Sequence, residues 1–210
     1  MGSAPITITG KVVVFDYGEV ISAPPLENER ATLLRLAGAD PERFWPAYGR
    51  HRDGLDQGTL SIGDYWRHVA DDLGAEFGDT LIDRLWAADV RSWLSVDEGT
   101  LGVLDDLAAG GTRLALLSNA GADFGAFFRN GSISRFFEAV FVSGELGIIK
   151  PDARIFEHAL RHLGISPAQA VFIDNKEKNV RGAERLGITG HVFTGAEGLR
   201  AFLTSLAAAG

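Results

Sequence analysis

Short apolar, β-rich runs recur along the chain, and each closes on a small or acidic polar residue. Val12 to Phe15 ends at Asp16, and Arg113 to Leu117 ends at Ser118-Asn119. Val140 to Val142 precedes Ser143, Ala170 to Ile173 ends at Asp174, and Gly190 to Phe193 is a fifth candidate. Runs of this length without polar alternation predict strands buried on both faces, as in a parallel sheet. Helical patterns lie between them. Glu98 to Ala109 stops at Gly110-Gly111, and Ala153 to Leu163 runs from Pro151-Asp152 to Gly164, with start and stop signals at its two ends. Ala183 to Leu186 and Leu199 to Leu206 complete the set. Strands alternating with helices predict an α/β fold, a Rossmann-like mostly parallel sheet with helices on both faces. Ligands of such sheets sit beyond the carboxyl ends of the strands, where Asp16, Ser118 and Asp174 all fall.

Residues 22–96 follow another pattern. Four helical periodicities, around Asn28–Leu36, Pro41–Arg50, Ser61–Leu73 and Asp79–Ala88, occur there without a convincing buried strand. All four tryptophans (Trp45, Trp66, Trp86 and Trp93) lie in this interval. The expected organisation is an α/β core of 1–21 and 97–210, with 22–96 inserted after the first strand as a helical cap.

Composition narrows the chemistry. There is no cysteine, which excludes thiolate catalysis, disulfides and cysteine-ligated zinc. A net charge of -8 disfavours nucleic acid or an anionic membrane as a partner. No apolar stretch reaches the roughly 18 residues of a membrane span, and the start MGSAPITITG has no secretory pattern, so a cytoplasmic protein is expected.

Four segments then form an ordered set: FDYGEVI at the first strand end, LLSNA around Ser118, GELGIIKPDARIF around Lys150, and VFIDNKEKNVRGAERLGI around Asp174. Taken together they resemble the four motifs of the haloacid dehalogenase superfamily, in its branch with a small helical cap. Within that branch, the chain resembles bacterial phosphatases acting on sugar phosphates such as α-D-glucose 1-phosphate. The resemblance implies that Asp16 attacks phosphorus to form an aspartyl-phosphate. It implies that Ser118 and the backbone around Tyr17 and Gly18 bind phosphoryl oxygens, and that Lys150 neutralises charge on nucleophile and substrate. It further implies that Asp16, the Gly18 carbonyl, Asp174 and Asn175 bind Mg²⁺. Asn119 is expected to orient the Ser118 loop and Asn179 to tie the fourth motif together.

Two departures stand out. The family usually has a second aspartate after the metal-binding one, and here Asn175 removes that charge, which predicts weaker Mg²⁺ binding. Many phosphatases of this type also have an acid/base carboxylate two residues after the nucleophile, where this chain has Gly18. General acid–base catalysis is worth a factor of about 10² to 10⁴. Three readings follow: a Mg²⁺-dependent phosphomonoester hydrolase with another proton carrier, a non-catalytic binding protein, or a 2-haloacid dehalogenase, whose halide leaves without a proton. Glu19 is the nearest spare carboxylate, but its side chain is expected to leave the turn on another side. A small phosphorylated metabolite is the expected partner of the first reading, and a monomer or homodimer its form. Substrate choice falls to the cap, where Arg50 and Arg52, in the polar stretch YGRHRDGLDQGTL, either touch the substrate or face solvent. Trp45 and Trp66 are expected in the cap's core, and His68, His158 and His162 show no ligand-like spacing.

Overall fold

The protein is described by a computed structural model over residues 4–209; residues 1–3 and 210 of the expected core span lie outside it. Five strands, β1 (Val12–Phe15), β2 (Arg113–Ser118), β3 (Ala139–Val142), β4 (Ala170–Asp174) and β5 (Thr189–Val192), form one sheet in the order β3-β2-β1-β4-β5. Every neighbouring pair is parallel. Chain order reverses at β1, so the crevice above β1, β2 and β4 is the switch point where such sheets bind ligands.

Both faces of the sheet are buried, as the unalternated apolar runs require. Val13, Phe15, Leu114, Leu116, Val171 and Ile173 face one side, under α6 (Glu98–Ala109) and α11 (Ala196–Ala209). Val12, Val14, Ala115, Leu117 and Phe172 face the other, under α9 (Ala153–Leu163). The period of two in side-chain direction allots each strand's residues to the two layers.

The chain leaves this core at Ser22 and returns at Val96, and these two residues pair in an antiparallel bridge. Between them α1 (Glu27–Ala37), α2 (Pro41–Arg50), α3 (Arg52–Gln57), α4 (Ile62–Leu73) and α5 (Asp79–Ser92) form the cap. Its own core holds Leu33, Phe44, Tyr65, Trp66, Val69 and Leu85. Trp66 is fully buried there, whereas Trp45 is half-buried under the Arg30 guanidinium.

Three helices of six residues or more were missed or misplaced by hydrophobic periodicity. The α3 segment RDGLDQ contains one apolar residue, Leu55, and is held by tertiary contacts: Ser143 Oγ donates to the Asp56 carbonyl at 2.5 Å, and Gln57 Nε2 to that of Gly147 at 2.9 Å. Gly58 ends it at φ 77°, and a Cβ there would lie 2.8 Å from the Gly144 carbonyl oxygen, so only glycine lets the cap approach the core this closely. The second is α7 (Phe124–Asn130), whose apolar residues crowd together without a helical stripe. The third is α10 (Glu177–Glu184), which begins six residues before the expected Ala183 to Leu186 and shares only Ala183 and Glu184 with it. Its polar first turn, EKN, reads as loop, yet it is fixed when Asp174 Oδ1 accepts from the Lys176 amide at 2.7 Å.

Candidate active site

Asp16 stands immediately beyond β1, its amide donating to the Ile173 carbonyl of the neighbouring strand at 2.8 Å. Asp174 ends β4 and is fully buried. Lys150 comes from the loop between α8 (Ser143–Leu146) and α9, and its side chain threads down between the two carboxylates. Its Nζ donates to Asp16 Oδ1 at 2.7 Å, to Asp174 Oδ2 at 2.8 Å and to the Leu117 carbonyl at 2.8 Å, so all three ammonium hydrogens are used. One cation thus binds the carboxyl edges of β1, β2 and β4 together.

Burial and charge set the protonation of this triad. Burial pushes the Asp16 carboxyl up to about 6; Lys150 opposes this, and the negative charge of Asp174 adds to it. For Lys150, burial alone would lower the ammonium, but Asp16 and Asp174 outweigh it and hold its pKa above the ordinary lysine value.

A cavity of about 280 Å³ opens over this edge, lined on the core side by Asp16, Tyr17, Gly18, Ser118, Asn119 and Lys150. Asn175, Lys176 and Asn179 complete the rim. Asp174 lies behind Lys150 and Asn179, and Asn179 Nδ2 donates to its Oδ2 at 2.9 Å. Asn119 lines the cavity and also clamps the backbone of Lys150.

A family model described as haloacid dehalogenase-like hydrolase matches residues 11–187, a span that includes every one of these core residues. The chain belongs to the haloacid dehalogenase-like hydrolases.

Two relatives and one solved structure each match more than four fifths of the chain. A sesquiterpene phosphatase of Aspergillus oryzae is 24% identical over 184 residues, 87% of this chain and 89% of that protein. A D-ribitol-5-phosphate phosphatase of Bacteroides thetaiotaomicron is 24% identical over 188 residues, covering 84% and 88%. A haloacid dehalogenase family enzyme of the same bacterium, solved with magnesium and inorganic phosphate, superposes with a TM-score of 0.63 at 19% identity, over 86% of this chain and 92% of that one. At that identity the likeness is one of fold. These relatives carry the names of other small-molecule phosphatases, and the narrower likeness to glucose 1-phosphate phosphatases finds no support among them.

In this haloacid dehalogenase-like hydrolase the cap closes the core site from above. Here the roof consists of Tyr48, Arg52, Asp56 and Trp93. Arg52 Nη1 donates to Asp89 Oδ2 at 2.7 Å and to the Tyr48 hydroxyl at 2.8 Å, while its Nε donates to Asp56 Oδ1 at 3.1 Å. Two carboxylates around one guanidinium leave no spare positive charge on the roof. Burial raises the Asp56 carboxyl above the ordinary range, with Arg52 opposing it. Arg50, the last residue of α2 and just before the His51 that separates it from α3, is not at the cavity: its guanidinium is mostly exposed and pairs with Asp72 at 2.8 Å. The two arginines diverge because the turn at His51 ends α2 and redirects the chain into α3, which docks on the core.

Sequence reasoning missed Asp56, Trp93, Tyr48 and the cavity-facing Phe124 and Phe128. A lone aspartate in a polar segment carries no local signal, and an aromatic residue among apolar neighbours reads as core. Trp93 also occupies the ground above Gly18, whose absent Cβ would lie 3.6 Å from the indole.

The oxygens here fit a hard divalent cation. Asp174 accepts three hydrogen bonds of the roughly four a carboxylate can take, keeping a lone pair on Oδ1. Asn175 Oδ1 is buried without a hydrogen-bond partner. Among the described residues no group of three or more His, Cys, Asp or Glu gathers as a metal cage. Such a cation would therefore rest on two carboxylates and neutral oxygens.

Proposed function

We propose that this hydrolase is a Mg²⁺-dependent phosphomonoesterase acting through an aspartyl-phosphate on Asp16, with a small phosphorylated metabolite as substrate. The observation that carries the reading is the position of Lys150 Nζ between Asp16 and Asp174 at the sheet edge. Asp16, Asp174, the Gly18 carbonyl and Asn175 would hold Mg²⁺, which supplies positive charge to the phosphoryl oxygens. Its use in magnesium-bound relatives of this fold supports the assignment.

Asp16 attacks phosphorus and the bond to the leaving oxygen breaks. Lys150 compensates charge on Asp16 and on the phosphoryl group, and Ser118 donates to a phosphoryl oxygen. The departing oxygen takes a proton from Asp56, the cap carboxyl at the cavity wall, whose raised pKa suits it to hold that proton. Asp56 then takes a proton from the water that attacks the aspartyl-phosphate, releasing phosphate and restoring Asp16. The other carboxylate on the wall, Glu19, accepts from Asn175 and faces away from this task.

The roof bears on the substrate. With Arg52 paired to Asp56 and Asp89, Lys176 is, among the described residues, the cation on the wall available to a second anionic group, while Tyr17, Trp93, Phe124 and Phe128 suit an apolar part of the leaving group. The test is phosphate release from a panel of sugar, polyol, isoprenoid and amino-acid phosphates, with Mg²⁺ or EDTA, using Asp16→Asn as the blank. Metal-dependent release absent from the blank is expected. No release above the blank on any substrate would sink the reading.

A further inference from the structure

Glu19 has φ 57°, the one positive φ at a non-glycine among the described residues. A β-carbon in that region is strained, a strain glycine would not incur. The side chain is what glycine would lack, and it is engaged. Glu19 Oε2 accepts from Asn175 Nδ2 at 2.7 Å across 156 positions of sequence, and the Glu19 amide donates to Ser22 Oγ at 3.0 Å, fixing the turn.

That contact decides which way the Asn175 amide faces. A carboxylate only accepts, so the NH₂ group must point at Glu19 and the oxygen away from it. The oxygen so turned is buried and has no hydrogen-bond partner. An unsatisfied buried amide oxygen carries a desolvation penalty that a donor or a cation removes. It belongs to the residue after Asp174, on the rim of the cavity that holds Asp16.

We infer that Glu19 is a positioning residue for the cation: it holds the Asn175 amide with Oδ1 presented to the metal, and it returns, one side chain further out, the negative charge lost by having Asn rather than Asp at 175. A charged acceptor on the N–H side polarises the amide and makes its oxygen a better ligand. The inference rests on the magnesium reading above.

The experiment is calorimetric titration of Mg²⁺ into the metal-free full chain without substrate, with thermal unfolding in EDTA alongside. Removal of an outer-shell partner costs about 10–100-fold in metal affinity, and that loss is expected for Glu19→Ala. Asn175→Asp alone sets two carboxylates against each other and lowers the melting temperature in EDTA. The double variant Glu19→Ala/Asn175→Asp relieves that repulsion and binds Mg²⁺ at least as tightly as wild type. A Glu19 that only braces the turn would lower the melting temperature and leave affinity unchanged. Equal affinity in wild type and Glu19→Ala, or a double variant no tighter than Glu19→Ala, overturns the inference and leaves the magnesium reading standing. Should Glu19→Ala fail to fold, Glu19→Gln, which keeps an acceptor oxygen but not the charge, is expected to lose affinity in the same direction, and wild-type affinity there overturns the charge argument. No binding by wild type overturns both.

Discussion

Asn119 grips Lys150 at two points: its Oδ1 accepts from the Lys150 amide at 2.8 Å, and its Nδ2 donates to the Lys150 carbonyl at 3.0 Å. A side-chain amide here substitutes for a strand partner and joins the loop after β2 to the loop before α9. The Lys150 ammonium is thereby aimed from a fixed backbone rather than from a free loop. Asn119→Leu keeps the volume, leaves both backbone groups unpaired and is expected to cost about 1–3 kcal/mol of stability. It should lower kcat by about 10–100-fold with little change in KM. Urea unfolding and steady-state kinetics measure both, and an unchanged kcat would show that the clamp serves only the fold.

Lys150→Met tests the triad itself. Removing one partner from a buried ion pair costs about 3–5 kcal/mol, because the remaining charge is left uncompensated. Here two carboxylates would remain, so the loss should be partly recovered in Lys150→Met/Asp16→Asn. Equal stability of the single and double variants would contradict repulsion as the cause.

The pH dependence of Asp16 follows from its raised carboxyl. Folding lifts its pKa from 3.8 to about 6 through burial. Between those values the folded, metal-free protein holds a proton that the unfolded chain has lost. This contribution to stability is therefore full below about pH 4 and is lost as pH rises through about 6. Asp16→Asn fixes a neutral side chain, so in EDTA at pH 7.5 it should melt above wild type, with the gap closing toward pH 4. A gap independent of pH would refute the assignment.

Asp56→Asn separates proton transfer from charge compensation. An alkyl leaving group needs a proton, whereas p-nitrophenolate departs without one. The variant should lose about 10²–10³-fold in kcat on alkyl phosphates and far less on p-nitrophenyl phosphate. Equal losses on both would make Asp56 an anchor for Arg52 and nothing more.

Arg52 is expected to act through packing and charge rather than through a second substrate anion. Arg52→Leu exposes the buried Asp89 as an unpaired charge and should cost several kcal/mol. Its relative rates on substrates with one and with two anionic groups should shift little if the protein still folds, as a side-by-side panel would show. A selective loss on doubly anionic substrates would mean that Arg52 reads them.

The parts of the site that were legible in the sequence share one property. Asp16, Ser118 and Asp174 each close an apolar strand, so the pattern that predicts the strand also fixes which residue stands at its carboxyl end. Lys150 was legible only through its motif, since a lysine before proline has no local reason to be buried. Arg50 and Arg52 could not be told apart: both are basic, two positions apart, and only the turn at His51 and the docking of α3 on the core send one to Asp72 and the other to the cavity.

By itself, the sequence determined the parallel α/β core, the helical insertion after the first strand and the carboxylates at the switch point, because hydrophobic periodicity and strand-end chemistry are local. The tertiary structure alone decided that Lys150 saturates its donors between Asp16 and Asp174, that Asp56 and Trp93 close the roof above Gly18, and that Glu19 turns the Asn175 amide. Each of those contacts joins residues dozens of positions apart or more, and no local pattern records which distant side chain will arrive.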